Sequence, residues 1–207
     1  DRMVMIQLQD IQLSVNTKAL VTGLNLEVAK GEKLLITGES GSGKTSLFKA
    51  MLGFFPVQAG QILIGTEPLN PKTIRLIRQK IFYLSQDVDL RNDRTDLLVQ
   101  EILLANHIEN EWPGTTRPLM DLLNFTPEIW TRHVHDLSGG ERQRLGLMIG
   151  FLLDRPIWLL DEPTSALDDT MKQKISDHIL KLDKTVLIIS HDSVWQRPER
   201  LKTYRWG

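Results

Sequence analysis

The chain has 207 residues, 41% hydrophobic and 25% charged, with a net charge of −1 and no cysteine. That length supports one domain with a real core and room for a small subdomain. The composition excludes disulfides and thiolate metal sites and suits a reducing compartment, and no nucleic acid is expected, because phosphate backbones call for a basic surface.

In chain order, the N-terminal DRMVMIQLQD lacks the apolar core of a signal peptide, and Met3 or Met5 is expected nearer the natural start. Short strands are expected at Met3–Leu8, Leu24–Val28, Lys33–Thr37, Gln61–Ile64 and Ile81–Ser85, with a helix from Lys44 to Leu52 between the third and fourth. From about Val88 to Gly150 the pattern turns helical, and Leu145, Met148, Ile149 and Leu152 follow the i, i+3, i+4, i+7 spacing of a buried helical face. Pro156–Glu162 and Thr185–Ser190 are unalternating apolar runs, as expected of central parallel strands covered on both faces, with a helix near Thr170–Leu182 between them. The longest apolar runs, such as Leu145–Leu153, fall well short of the ~18–20 residues that span a bilayer. Any membrane role is therefore expected to run through a partner. The fold class is α/β with a helical insertion.

GESGSGKT, at Gly38, Glu39, Ser40, Gly41, Ser42, Gly43, Lys44 and Thr45, matches G-x-x-x-x-G-K-[ST] between an expected strand and an expected helix. Glycines there let successive N–H groups point at phosphate oxygens, and the helix N-terminus adds partial positive charge. Lys44 is the candidate for the β- and γ-phosphates and Thr45 for Mg²⁺, with Ser46 next to them. The plain alternative is a flexible strand-to-helix turn. Asp161 and Glu162 follow an apolar strand; taken alone they read as a solvated strand end. Beside the glycine loop, Asp161 becomes a candidate Mg²⁺ ligand and Glu162 a candidate for orienting the attacking water. If their strands share one parallel sheet, Gln86 and His191 emerge at its carboxyl edge, where ligands of open α/β sheets bind. Gln86 is then a candidate to bridge Mg²⁺ and water, and His191 a candidate donor to the γ-phosphate. His133 and His135 lie two apart without an evident third ligand and are assigned no metal.

GESGSGKT, Gln86, LSGGE, LLDE, SALD and His191, in that order, resemble the motif set of the ATP-binding cassette (ABC) family of ATPases over nearly the whole chain. LSGGE discriminates, since many unrelated NTPases share the glycine loop and the acidic pair. The resemblance implies a P-loop ABC-type core with an antiparallel β part near the N-terminus and an inserted helical subdomain. Residues 1–207 then form a single ABC ATPase domain, with 1–87 and 151–207 the ATP-binding core and 88–150 the helical part. It implies ATP and Mg²⁺ as cofactors, Gln86, Glu162 and His191 as catalytic, and Thr45, Gln86 and Asp161 around the metal. It also implies that Ser138, Gly139 and Gly140 face the γ-phosphate held by a second copy, so that two chains pair head to tail, with Asp168 closing the loop that begins at Ser165. Val15 falls where the family usually places an adenine-stacking aromatic, about sixteen positions before Gly31, so looser base discrimination is expected. Gly146 and Gly150 stand where the family commonly has alanine and Ile149 where it often has arginine; close packing is the expected reason for the glycine pair.

The foremost functional reading is the ATP-hydrolysing subunit of a transporter. It would lie on the cytoplasmic face of the cell membrane, peripheral, bound to integral-membrane permease subunits through the surface around Gln86 and Asp87–Leu98. The alternatives are a soluble ABC ATPase and an ATP-gated binding module without turnover; Glu162 and His191, both in place, argue for turnover. The chain ends sixteen residues beyond His191, so the regulatory domain of some importer ATPases is not expected.

Overall fold

The computed structural model describes residues 2–108 and 116–207; the part of the expected helical stretch at 109–115 lies outside the described residues. Nine strands form two sheets among these residues. The first is antiparallel in the order β2-β1-β4-β5, from β1 (Val4–Val15), β2 (Lys18–Ala29), β4 (Ala59–Ile64) and β5 (Glu67–Pro68). The second runs β6-β7-β8-β3-β9, from β3 (Lys33–Thr37), β6 (Ile81–Leu84), β7 (Ile157–Asp161), β8 (Thr185–Ile189) and β9 (Lys202–Arg205), every pairing parallel.

Parallel strands must be covered on both faces, and their alternate residues do divide between two cores. Phe82, Leu84, Trp158, Leu160, Val186 and Ile188 point to one core with helices α3 (Thr95–Ala105), α5 (Gly139–Leu153) and α6 (Asp169–Lys181). Ile36, Ile81, Ile157, Leu159, Leu187 and Ile189 point to the other, shared with α1 (Lys44–Met51) and the antiparallel sheet. The shorter helices are α2 (Ile74–Lys80) and α4 (Arg117–Leu122).

The expected central strands and flanking helices lie within a residue or two of their places. The main extensions are β1 and β2, twelve residues each. Their register slips between Leu8 and Ile11, where Asp10 takes a positive φ of 49° and hydrogen-bonds Asn25. A bulge of this kind breaks the alternation by which a strand is read. Helix α2 and edge strand β9 were not expected. β9 is polar (KTYR) and paired only through β3.

Helix α5 buries the expected face: Leu145 and Met148 are fully buried, Ile149 nearly so, and Leu152 is half-buried. The glycine pair has the packing reason anticipated. A Cβ on Gly146 would stand 2.6 Å from Leu84 Cδ1 and 2.9 Å from Val88 Cγ1; one on Gly150 would stand 2.3 Å from Phe82 Cε1. The two glycines let α5 lie directly on β6, the strand that delivers Gln86. The helix runs through residue 150 without interruption.

Candidate functional site

Register fixes where the functional loops leave the sheet. Ile36, Ile189 and Asp161 sit in one row across β3, β8 and β7, and Ile188, Leu160 and Leu84 in the row before it. The segments that follow therefore all leave at one carboxyl edge: the glycine loop after β3, Gln86 after β6, Glu162 after β7 and His191 after β8. One cleft of about 390 Å³ is lined there by Ser40, Gly41, Gly43, Lys44, Thr45, Ser46, Gln86, Asp161, Glu162 and His191, with Val15, Leu20 and Ile189 as apolar wall.

Gly43 begins α1 at φ 105°, and Leu20 Cβ lies 2.8 Å from where its own Cβ would be, so any side chain there is both strained and obstructed. The buried Lys44 ammonium donates to the carbonyls of Gly38 (2.9 Å) and Glu39 (2.6 Å) and lies 3.4 Å from Ser42 Oγ. Burial lowers its pKa, opposed by the charges of Glu162, Asp161 and Glu39. A cation whose hydrogen-bond acceptors are neutral loop oxygens is suited to an anionic ligand. Gly38, Glu39 and Ser42 shape the loop from behind the cleft; Trp206 backs it, its Nε1 donating to Ser42 O at 2.9 Å.

Asp161 and Glu162 are adjacent in sequence and serve different partners, because β7 ends at Asp161 and the chain turns at Glu162. Asp161 is 2% exposed and accepts from Thr45 Oγ1 at 2.6 Å. Burial raises its pKa; the Thr45 hydrogen bond and the charges of Lys44 and Lys49 act against that. Glu162 turns back with φ 49°, in the left-handed region that ordinary residues rarely enter. Its Oε2 accepts from His191 N at 3.3 Å, and its Oε1 lies 3.7 Å from His191 Nε2, itself 3.4 Å from Ser40 Oγ. Strained backbone of this sort clusters at functional sites. Val88, just past Gln86, is likewise strained at φ 42°.

The residues fit Mg²⁺: a hydroxyl and a buried carboxylate already in contact, with the Gln86 amide on the same cleft, make a hard oxygen-donor set.

Ser138, Gly139, Gly140 and Asp168 do not line this cleft. Ser138 caps α5 in a capping box: its Oγ accepts from Glu141 N at 3.1 Å, and Glu141 Oε2 accepts from Ser138 N at 2.8 Å. Ser138 and Gly139 remain exposed. Asp168 caps α6, accepting from Met171 N at 2.9 Å. Val15 lines the cleft 45% exposed, and among the described residues no aromatic joins it.

Three residues were not singled out from the sequence: Ile189, which ends β8 in the cleft wall, Leu20 and Gln143. Leu20 supplies apolar wall beside Val15. Gln143, inside the charged run GERQR, is 2% exposed and bonds the loop after Glu162; its place in a run of charges reads as a solvated helix face.

The family model described as "ABC transporter" matches residues 21–165. A transport/processing ATP-binding protein, ComA, of Streptococcus pneumoniae is 33% identical over 198 residues, covering 88% of this chain and 26% of that protein. The choline transport ATP-binding protein OpuBA of Bacillus subtilis is 33% identical over 184 residues, covering 84% of this chain and 48% of that protein. The chain thus spans less than half the length of these relatives. A dimeric structure of MJ0796, a bacterial ABC transporter cassette, superposes with a TM-score of 0.84 at 24% identity, covering 98% of this chain and 95% of that one.

Proposed function

This chain belongs to the ABC transporter family of ATP-binding cassettes, and on that premise we propose that its ATPase activity powers transport through separate integral-membrane permease subunits. The observation that carries the reading is the convergence of Lys44, Thr45, Gln86, Asp161, Glu162 and His191 on one cleft while Ser138 and Gly139 stand exposed outside it. Two chains pair head to tail, and Ser138, Gly139 and Gly140 of each close the cleft of the other. A serine hydroxyl and the free amides of a helix N-terminus are donors toward an anion, and ATP joins the copies. Asp168, exposed at the start of α6, belongs to that interface.

Within a cleft, the glycine-loop amides and Lys44 hold the phosphates. Thr45, Asp161 and Gln86 would hold Mg²⁺, which when bound neutralises charge on the phosphates. Glu162 orients the attacking water, and His191 donates toward the γ-phosphate. Val15 and Leu20 receive the base by apolar contact, which gives little discrimination between bases.

The chain works as one domain, with residues 1–87 and 151–207 as ATP-binding core and 88–150 as the helical part. Among the described residues no helix is long and apolar enough to cross a membrane. The permease is met at a groove of about 360 Å³ lined by Leu52, Phe54, Arg78, Val88, Leu90 and Ile102 among others. There Phe54 is 65% exposed beneath the Arg78 guanidinium, 4.2 Å from its ring centre. On this reading the protein works at the cytoplasmic face of the cell membrane, peripheral, through the permease. Affinity capture of the chain from solubilised membranes is expected to bring down an integral-membrane permease. A reproducible soluble partner with no membrane protein would overturn the transport reading.

A further inference from the structure

Gln143 is a charge-neutral, 2% exposed side chain on α5, five residues beyond the Ser138 cap and so roughly 7.5 Å along the helix axis. It lies outside the cleft that holds the glycine loop. Its amide is nonetheless fully engaged with the segment that begins at Glu162. Nε2 donates to Glu162 O at 2.9 Å and lies 3.4 Å from Ser165 Oγ; Oε1 accepts from Ala166 N at 3.1 Å. The orientation of the amide is fixed by its partners, since one is a carbonyl and the other an N–H.

A second contact links the same two elements. A Cβ on Gly140 would stand 2.8 Å from Ala166 O, so the helix start and the loop touch backbone to backbone. Helix α5 and the Glu162–Ala166 loop are thereby clamped twice, at Gly140 and at Gln143. The clamped loop is the strained one. Glu162 holds φ 49°, its N–H donates to Ile189 O at 2.8 Å, and its carbonyl accepts from Ser165 Oγ at 3.1 Å as well as from Gln143. A left-handed glutamate persists only where its surroundings over-determine it, and Gln143 is the element of that surrounding contributed by α5, the signature helix that opens at LSGGE.

We infer that Gln143 is a positioning residue that transmits the state of the signature helix to Glu162 of the same chain. The inference rests on the composite-site reading above. In it, the α5 N-terminus of one copy meets the γ-phosphate of the other copy's cleft, while the backbone held by that same helix carries the Glu162 that acts in its own cleft. A rigid helix with a two-pronged amide leaves the loop little freedom to move independently. Contact at one site therefore sets the geometry of the glutamate at the other, and the two sites turn over in concert.

The test is steady-state ATPase kinetics of Gln143→Met, a near-isosteric change that removes both hydrogen bonds. We expect kcat to fall roughly 10–100-fold, the scale of small misplacements in catalytic geometry, with little change in half-saturating ATP, because the residue does not line the cleft. A cycle with Ser138→Ala separates transmission from a merely stabilising role. The combined kcat loss of the double variant should be smaller than the product of the two single losses, whereas independent roles multiply. Wild-type kcat in folded Gln143→Met, or multiplicative losses, overturns the inference. If Gln143→Met fails to fold, Gln143→Glu keeps the acceptor for Ala166 N–H and faces the same criteria. Ser138→Arg alone distinguishes the two readings: normal hydrolysis there sinks the composite site itself, whereas lost hydrolysis with normal Gln143 variants sinks only the transmission.

Discussion

Gly150→Ala sets two ordinary effects against each other. Alanine in a helix interior is favoured over glycine by roughly 1 kcal/mol, so on propensity alone the substitution stabilises α5. The added methyl, however, would stand 2.3, 2.6 and 2.7 Å from Phe82 Cε1, Cζ and Cδ1. The ring cannot simply retreat: Phe82 is 6% exposed, and Trp158 packs against it edge-on at 4.9 Å between centroids. Overpacking of well-filled cores costs about 1–3 kcal/mol, and three sub-contact distances to one confined ring argue for the upper part of that range. The net expectation is a loss of about 1–2 kcal/mol. For a chain of this size that lowers Tm by roughly 2–8 °C. Thermal and denaturant unfolding monitor it directly. With Phe82→Leu the obstruction is relieved, and the same glycine substitution should then raise stability relative to Phe82→Leu alone. Stabilisation by Gly150→Ala in the otherwise unchanged protein, or simple additivity with Phe82→Leu, refutes the packing explanation.

Gly146→Ala presses on Leu84 and Val88, which flank the Gln86 segment, so ATPase activity should fall by a larger factor than stability alone explains; unchanged kcat in the folded variant contradicts this. Val15 and Leu20 offer no ring to the base, and aromatic stacking would add on the order of 1 kcal/mol, so ATP and GTP titrations should give comparable affinities; strong adenine selectivity counts against the apolar-wall reading. Burial opposes ionisation of Asp192, but hydrogen bonds from Lys172 (2.6 Å) and Thr164 (2.5 Å) prevail and hold its carboxyl below the ordinary range. A carboxylate with a depressed folded pKa contributes stability above its unfolded pKa and loses it as pH falls through the folded one. Lys172→Met should therefore lose about 1–2 kcal/mol near neutrality, a deficit that shrinks as acid protonates Asp192; a pH-independent deficit argues that packing, not charge, is lost.

How much of this was legible in the sequence depends on where the determining forces lie. β3, β7 and β8 were readable because burial on both faces writes a continuous apolar run. The meeting of the glycine loop, Asp161 and Glu162 in one cleft was readable because phosphate chemistry restricts residue type at fixed spacing. β9 was not, since KTYR becomes a strand only by pairing with β3 at the sheet edge. The outer halves of β1 and β2 were hidden by the bulge at Asp10, which interrupts alternation. Gln143 was hidden by its charged neighbours, because its burial is created by a loop more than fifteen residues away in sequence. The need for glycine at 140 was half visible: amides toward an anion were anticipated, whereas the close approach to Ala166 O is a tertiary fact.

The composite site is tested most directly by the mass of Glu162→Gln in the presence of ATP and Mg²⁺, measured by light scattering with the bound nucleotide counted. With the carboxylate proposed to orient water gone and the proposed phosphate cradle intact, a particle of two chains holding two ATP is expected, reverting to single chains that still bind ATP when Ser138→Arg is added. A Glu162→Gln chain that saturates with ATP and stays single contradicts the composite site.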